Sequence, residues 1–275
     1  MPYRHAHYFV GFVLLVTVTG FWASYFTRIG GVPLAFHVHA FSATSWLLLL
    51  IAQSLTIQNR RPAVHRLMGR ASFALFPLLI AGFVMIINVS AQRYATAESP
   101  FIMQLGPAFA IGMVVAIAAY LVLFYGALRY RANIRLHSGY MLATPLILFE
   151  SPFSRMMDQF FPWMNFIGSE GPRGLLDTIV ISDGMVAVFA LAMYFRDRRH
   201  GTPWLIAAGF VTFQALAMFT AQSWPGLEQA FTAYAAVPPA VTILAGVLLA
   251  AATGWAGWQR GKKVRTPQKT PAAAG

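Results

Sequence analysis

Apolar stretches separated by short polar segments recur along the whole chain, and eight of them have the length of a bilayer-crossing helix. They run over about 8–26, 35–57, 68–90, 105–128, 136–153, 176–195, 204–222 and 237–258. Each is near the ~20 residues that cover ~30 Å of hydrocarbon at the rise of an α-helix. The fifth is the shortest and is read as ending at Glu150-Ser151-Pro152, because proline has no N–H to continue the helical ladder. The pattern predicts an all-α, polytopic transmembrane helix bundle of about eight helices in four hairpins. It fills residues 1–260 as a single domain, and a basic, Pro/Ala-rich tail over 261–275 reads as disordered.

The charged residues orient this bundle. The segments holding Arg4, then Arg60 to Arg70, then Arg129 to Arg135, then Arg196 to Arg199, and finally the tail from Arg260 contain 16 of the 20 Lys and Arg residues. The alternate segments contain only Arg28, Arg93, Arg155 and Arg173. Positive residues gather on the cytoplasmic side of membrane proteins, so the alternation predicts the cell inner membrane with both termini cytoplasmic. It also predicts attraction of anionic lipid to that face. The net charge of +12 therefore reflects topology, and nucleic acid is not expected as a partner. With 58% hydrophobic and 10% charged residues, against roughly 25% charged in a soluble domain, the chain suits lipid as its solvent. The first apolar stretch reads as a retained helix rather than a removed signal peptide.

Polar residues inside the spans carry the candidate chemistry. His39, Ser42, Trp46 and Gln53 fall on one face of the second helix, which should point into the bundle. His37 lies beside them if the segment is still extended there. His65, His137 and His200 open odd-numbered helices on the inner side, each near an arginine cluster. Such histidines serve either as interfacial residues against lipid phosphate and helix ends, or as ligands to a divalent metal or a haem b iron. On the fifth helix, His137, Thr144, Glu150 and Arg155 follow one another, and Asp177 and Asp183 lie on the sixth. Glu150 and Asp183 are the costliest side chains for their depth. With Asp177, Arg155, His37 and His39 they could form an outer-half polar cluster, read either as a salt-bridge network or as a site for a metal, proton or small ligand.

The absences narrow the field. There is no cysteine, which removes disulfides, iron–sulfur clusters and thiolate metal sites. All three lysines lie in the tail, so no span offers one to a Schiff base. No Gly-rich phosphate loop, Cys-x-x-Cys-His, Gly-x-Ser-x-Gly or His-Glu-x-x-His motif is present. The outer segment 154–175 is read as lying along the membrane surface, its aromatics Phe160, Phe161, Trp163 and Phe166 at headgroup depth.

The same polar residues carry a resemblance. His37-Val38-His39, Trp46, Gln53, His65-Arg66-Leu67-Met68-Gly69-Arg70, Arg135-Leu136-His137, Met141, Arg155, Asp197 and Arg199-His200 resemble the pattern of a bacterial family of multi-pass membrane proteins with no assigned activity. The resemblance covers about two thirds of the chain and is most specific in its first part. Ser138-Gly139-Tyr140 departs from it, since the family is usually more basic there. It implies the fold and the same polar residues. More loosely, the architecture looks like haem-binding four-helix membrane cytochromes and the eight-helix haem A synthase type, a likeness of fold alone.

Three functions follow as expectations. The first is a membrane redox or assembly protein with a polar, His-containing interior that binds haem or metal. The second is a transporter of a small solute, ion or lipid using the outer polar cluster, which Pro77, Pro145 and Pro238-Pro239 within spans favour. The third is an accessory subunit, whose partner would be another membrane protein or a second copy of the chain.

Overall fold

The computed structural model describes residues 2–262, and among these all regular structure is helical. The α-helices are α1 (Ala6–Gly20), α2 (Leu34–Gln58), α3 (Pro62–Ala95), α4 (Pro100–Arg129), α5 (Ile134–Phe160), α6 (Gly174–Arg196), α7 (Thr202–Thr220), α8 (Leu227–Ala235) and α9 (Pro239–Lys262). The basic tail read from the sequence lies outside the described residues from position 263 onward.

Six of these helices, α2, α3, α4, α6, α7 and α9, are long and apolar enough to cross a membrane. α1 is as apolar but has only 15 residues. Large apolar side chains point outward along the helices, including Phe12, Leu15, Phe41, Leu48, Val114, Val188, Phe213 and Leu248. Water would penalise a surface of this kind, whereas acyl chains accept it. The chain is a membrane-embedded helix bundle.

α4 and α5 are its central pair. α4 packs against α3, α5, α7 and α9, and α5 packs against α1, α4, α6 and α7. Their starts are fixed locally. Ser99 Oγ accepts the Ile102 N–H at 3.3 Å, and Asn133 Oδ1 accepts those of Arg135 and Leu136 at 3.1 and 3.2 Å. These side chains satisfy helix N–H groups that have no partner within the helix. The main core runs through Trp46, Phe76, Tyr120 and Phe124, all fully or almost fully buried.

Several boundaries differ from the sequence reading, and two of them change the course of the chain. α5 does not stop at Pro152 but continues to Phe160. Proline removes one hydrogen bond, and a span packed on every side by other helices keeps its course through that loss. α1 stops at Gly20, six residues earlier than read, and a turn and a 3-10 segment, Phe26–Gly31, lead to α2. The outer segment after α5 is short, and Phe160, Phe161, Trp163 and Phe166 are exposed on it. α8, between α7 and α9, is amphipathic and too short to cross a bilayer; it has no counterpart in the sequence reading.

Close packing depends on missing side chains. A Cβ on Gly82 of α3 would lie 2.8 Å from the Cα of His39 on α2, so the two backbones touch there. Gly82→Ala is expected to cost about 1–3 kcal/mol through forced separation of α2 and α3. Gly209→Ala, at a helical position with open space around it, should be neutral or slightly stabilising. Thermal unfolding of the two variants in detergent checks the contrast.

Candidate functional site

α5 carries two separate polar surfaces. At about 100° per residue, Thr144, Ser151 and Arg155 return to the line of His137, whereas Glu150 falls about 140° away from it. The structure places different chemistry on each.

On the first surface Trp46 of α2 donates its indole N–H to Thr144 Oγ at 2.9 Å, both residues being fully buried. Thr144 Oγ in turn donates to the Met141 carbonyl at 2.7 Å. That carbonyl is the one Pro145, four residues on, cannot serve. Thr144 thus repairs the break that Pro145 makes and ties α5 to α2. Further out on this line, Arg155 donates to the Ser151 carbonyl and hydroxyl at 2.8 and 2.7 Å and lies over the Phe21 ring at 4.9 Å. Among the described residues it forms no salt bridge. The ion pairs found, Arg93–Glu98, Arg135–Asp197 and His200–Asp197, all lie at helix ends.

The second surface of α5 faces α6 and α7 and holds the most unusual group of the molecule. Asp183 is 0% exposed, and neither of its carboxylate oxygens has a hydrogen-bond partner among the described residues. Glu150, 8% exposed, lies within its electrostatic reach. Gln214 of α7 donates to Glu150 Oε2 at 3.3 Å and reaches toward Asp183 without a well-formed bond. Ser154 donates to Glu150 Oε1 at 3.4 Å, and Ser182 Oγ reaches the Glu150 backbone carbonyl, also at 3.4 Å. These contacts are long, so Glu150 has two weak donors to its carboxyl and Asp183 has none. Depth makes this costlier. Asp183 sits nine residues into α6 and thirteen from its far end, about 14 and 20 Å along the axis, near the middle of an apolar helix long enough to cross a membrane.

The remaining sequence candidates lie elsewhere. Asp177 is fully buried, but its two oxygens accept the Ser169 N–H at 2.7 Å and the Ser169 hydroxyl at 2.8 Å, so it holds the loop before α6. His37 Nδ1 bonds to the Tyr25 hydroxyl at 2.8 Å. His39 packs edge-on against Phe83 with its Nδ1 buried and unpartnered, and Ser42 donates to the His39 carbonyl at 3.1 Å. Asp177, His37 and His39 are thus held away from Glu150 and Asp183, and Arg155 makes no ion pair with either acid, so the predicted cluster does not form as one site. His200 contacts Asp197 at 3.1 Å. Desolvation of Asp197 opposes its ionisation, but the hydrogen bonds and charges of His200 and Arg135 together outweigh it and hold the carboxyl below its ordinary value.

The inner histidines form a looser group. His137 Nδ1 lies 2.8 Å from the Ala127 carbonyl; since a carbonyl only accepts, the proton sits on Nδ1 and Nε2 keeps its lone pair. His65 is within electrostatic reach of His137, and the His65 Nδ1 and Gln53 Oε1 are buried without partners. No three His, Asp or Glu side chains gather as a metal-ligand set among the described residues.

Two polar groups escaped the sequence reading. One is Gln214, a single amide in the apolar α7. The other joins α3, α8 and α9: the Tyr234 hydroxyl donates to Asn88 Oδ1 at 2.6 Å, and Asn88 Nδ2 donates to Thr242 Oγ at 2.9 Å. Amides deep in a span signal such sites as carboxylates do, but at lower cost and so with less contrast.

Compared with protein-family models, with curated proteins and with solved structures, the chain matches none.

Thr144→Val should destabilise more than Trp46→Phe. The first orphans both the indole N–H and the Met141 carbonyl, at about 1–3 kcal/mol for each buried group, while the second leaves Thr144 still bonded to Met141. Chemical denaturation of both variants and of the double variant measures the difference.

Proposed function

We propose that the chain is a transporter of the cytoplasmic membrane, moving a small cationic solute or ion through a site built on Glu150, Asp183 and Gln214. One observation carries this reading: Asp183 is fully buried with both oxygens unpartnered, beside a second buried carboxyl. Carboxylates at membrane depth are kept for ion and proton pathways because they cost so much to hold there.

In this reading α1 and α5 also cross the bilayer. α5 has the length to do so, and α1 does so with the turn and 3-10 segment that follow it. That gives eight crossings in four hairpins, and the distribution of Lys and Arg puts both ends of the chain in the cytoplasm. Anionic lipid then meets the arginine-rich face.

Proteoliposomes with an inside-negative potential provide the test, using labelled sodium, rubidium and methylammonium as probes. At least one should accumulate above empty vesicles, and Asp183→Asn and Glu150→Gln should each reduce that accumulation tenfold or more. Accumulation of all three probes at the empty-vesicle level, or uptake unchanged in both variants, rejects the reading.

A second reading, a haem- or metal-binding redox protein, draws on one observation. His137 donates Nδ1–H to a carbonyl and leaves Nε2 available, the arrangement usual for a metal-ligating histidine, with His65 nearby. This reading expects the purified protein to carry a Soret band or stoichiometric metal, lost on His137→Ala. A colourless, metal-free preparation that remains so after incubation with haem, copper or zinc rejects it.

A further inference from the structure

The charges around Glu150 and Asp183 can be counted on every element that packs there. On α5 the charged group within reach is Arg155, which makes no ion pair with either acid. On α6, Asp177 is committed to Ser169 in the first turn, and Arg196 lies in the last turn, thirteen residues from Asp183. α7 contributes Gln214 and no charged side chain. α1 has only His7 at its inner start, held by Gln58, and α4 only Arg129 at its inner end. α2 brings His37 and His39, which pack on Tyr25 and Phe83. With both carboxyls ionised, two negative charges thus meet one positive charge in a low-dielectric site.

A buried net charge is unstable until neutralised. One unit of positive charge suffices here. A divalent cation would overshoot by one, and so would a proton and a monovalent cation together. The acids offer four carboxylate oxygens, two of them unpartnered on Asp183, and the Ser154 hydroxyl lies against Glu150, while Gln214 presents its amide N–H; oxygen ligands of this kind suit a hard cation.

We propose that the Glu150–Asp183 cluster holds either one proton or one monovalent cation but not both, so that the protein exchanges the two. The step balances simply: the cation takes the place of a carboxyl proton, and that proton passes to water. The site rests on the burial of both carboxyls and the unpartnered oxygens of Asp183, whereas exchange across the membrane rests on the transporter reading above. Arg155 is a positioning residue in this scheme. It sets the charge balance from a distance through its anchor on Ser151.

Proton release measures it. Purified protein in lipid nanodiscs, weakly buffered and followed with a pH dye, is titrated with sodium or potassium chloride, with choline chloride as the ionic-strength control. Sodium or potassium should release about one proton per chain, and the half-saturating concentration should rise roughly tenfold per unit fall in pH. Asp183→Asn and Glu150→Gln should abolish the release. Arg155→Gln should make calcium chloride release protons, because two carboxylates without the arginine charge are neutralised by one divalent cation, which overshoots in the wild type. Absence of release with both sodium and potassium chloride, release in Asp183→Asn equal to wild type, or calcium-driven release equal in wild type and Arg155→Gln overturns the proposal. If Asp183→Asn does not fold, as judged by gel filtration, the other two variants decide. Proton release without any flux removes the transporter and leaves the site; flux without proton release removes the exchange and leaves the transporter.

Discussion

Hydrocarbon offers no hydrogen bonds, and this constraint governs where each polar atom of the bundle is placed. A buried donor or acceptor must find a partner within the protein or bear its full desolvation cost. The structure meets the demand with short local bonds in most places. Ser and Thr hydroxyls return to their own helix carbonyls at Thr17, Ser42, Ser72 and Thr178. Between helices, single well-made bonds such as Trp46–Thr144 and Asn88–Thr242 suffice. The exceptions stand out against this background. Among the described residues, His39 Nδ1, Gln53 Oε1, His65 Nδ1, the Tyr120 hydroxyl and both Asp183 oxygens are buried without a partner.

These exceptions differ in weight. An imidazole or a phenol is neutral in one of its forms, and its loss is that of a single hydrogen bond. A carboxylate with two free oxygens is far costlier, and a second carboxyl beside it costlier again. Asp183 is therefore where the bundle gives up the most stability, and selection for stability alone would remove it. A small apolar residue of similar volume would pack there at no electrostatic cost. That contrast, rather than the presence of acids as such, separates the Glu150–Asp183 pair from Asp177, which is equally buried but fully bonded by Ser169.

The helical, membrane-embedded character was legible because it rests on composition over long windows, which local detail cannot disturb. The sequence also exposed Glu150 and Asp183, since charge at mid-span is conspicuous. What it concealed was grouping. Helical periodicity gives the face of a residue on its own helix but not which neighbour that face meets, so Glu150, Arg155, Asp177 and the outer histidines were all read into one cluster. In the structure Arg155 lies around the far side of α5 from Glu150 and turns to Ser151 and Phe21. Gln214 was overlooked for a different reason: its importance comes from the two acids it sits between, and those lie on other helices. Proline misled in the same way, because the Pro152 break is a local effect, and tertiary packing carries α5 past it.

The division of α5 into two polar surfaces gives the site its mechanical setting. One surface, through Thr144 and Trp46, clamps the helix to α2 and closes the break at Pro145. At the outer end a Cβ on Gly20 would run into the Pro152 carbonyl, so α1 and α5 touch backbone to backbone there. The opposite surface has no comparable clamp. The bonds from Gln214, Ser154 and Ser182 to Glu150 are 3.3–3.4 Å long, and Asp183 has none. Tight bonds on one side and loose ones on the other mean that a small displacement of α6 and α7 against α5 costs little at the acids. A rigid half and a compliant half meeting at a buried acid pair is what the proposed transport would use to expose the site to two sides alternately. In the proposed exchange the same looseness lets the oxygens close around a proton or a larger cation in turn, because Glu150 is held only by long contacts and Asp183 by none among the described residues.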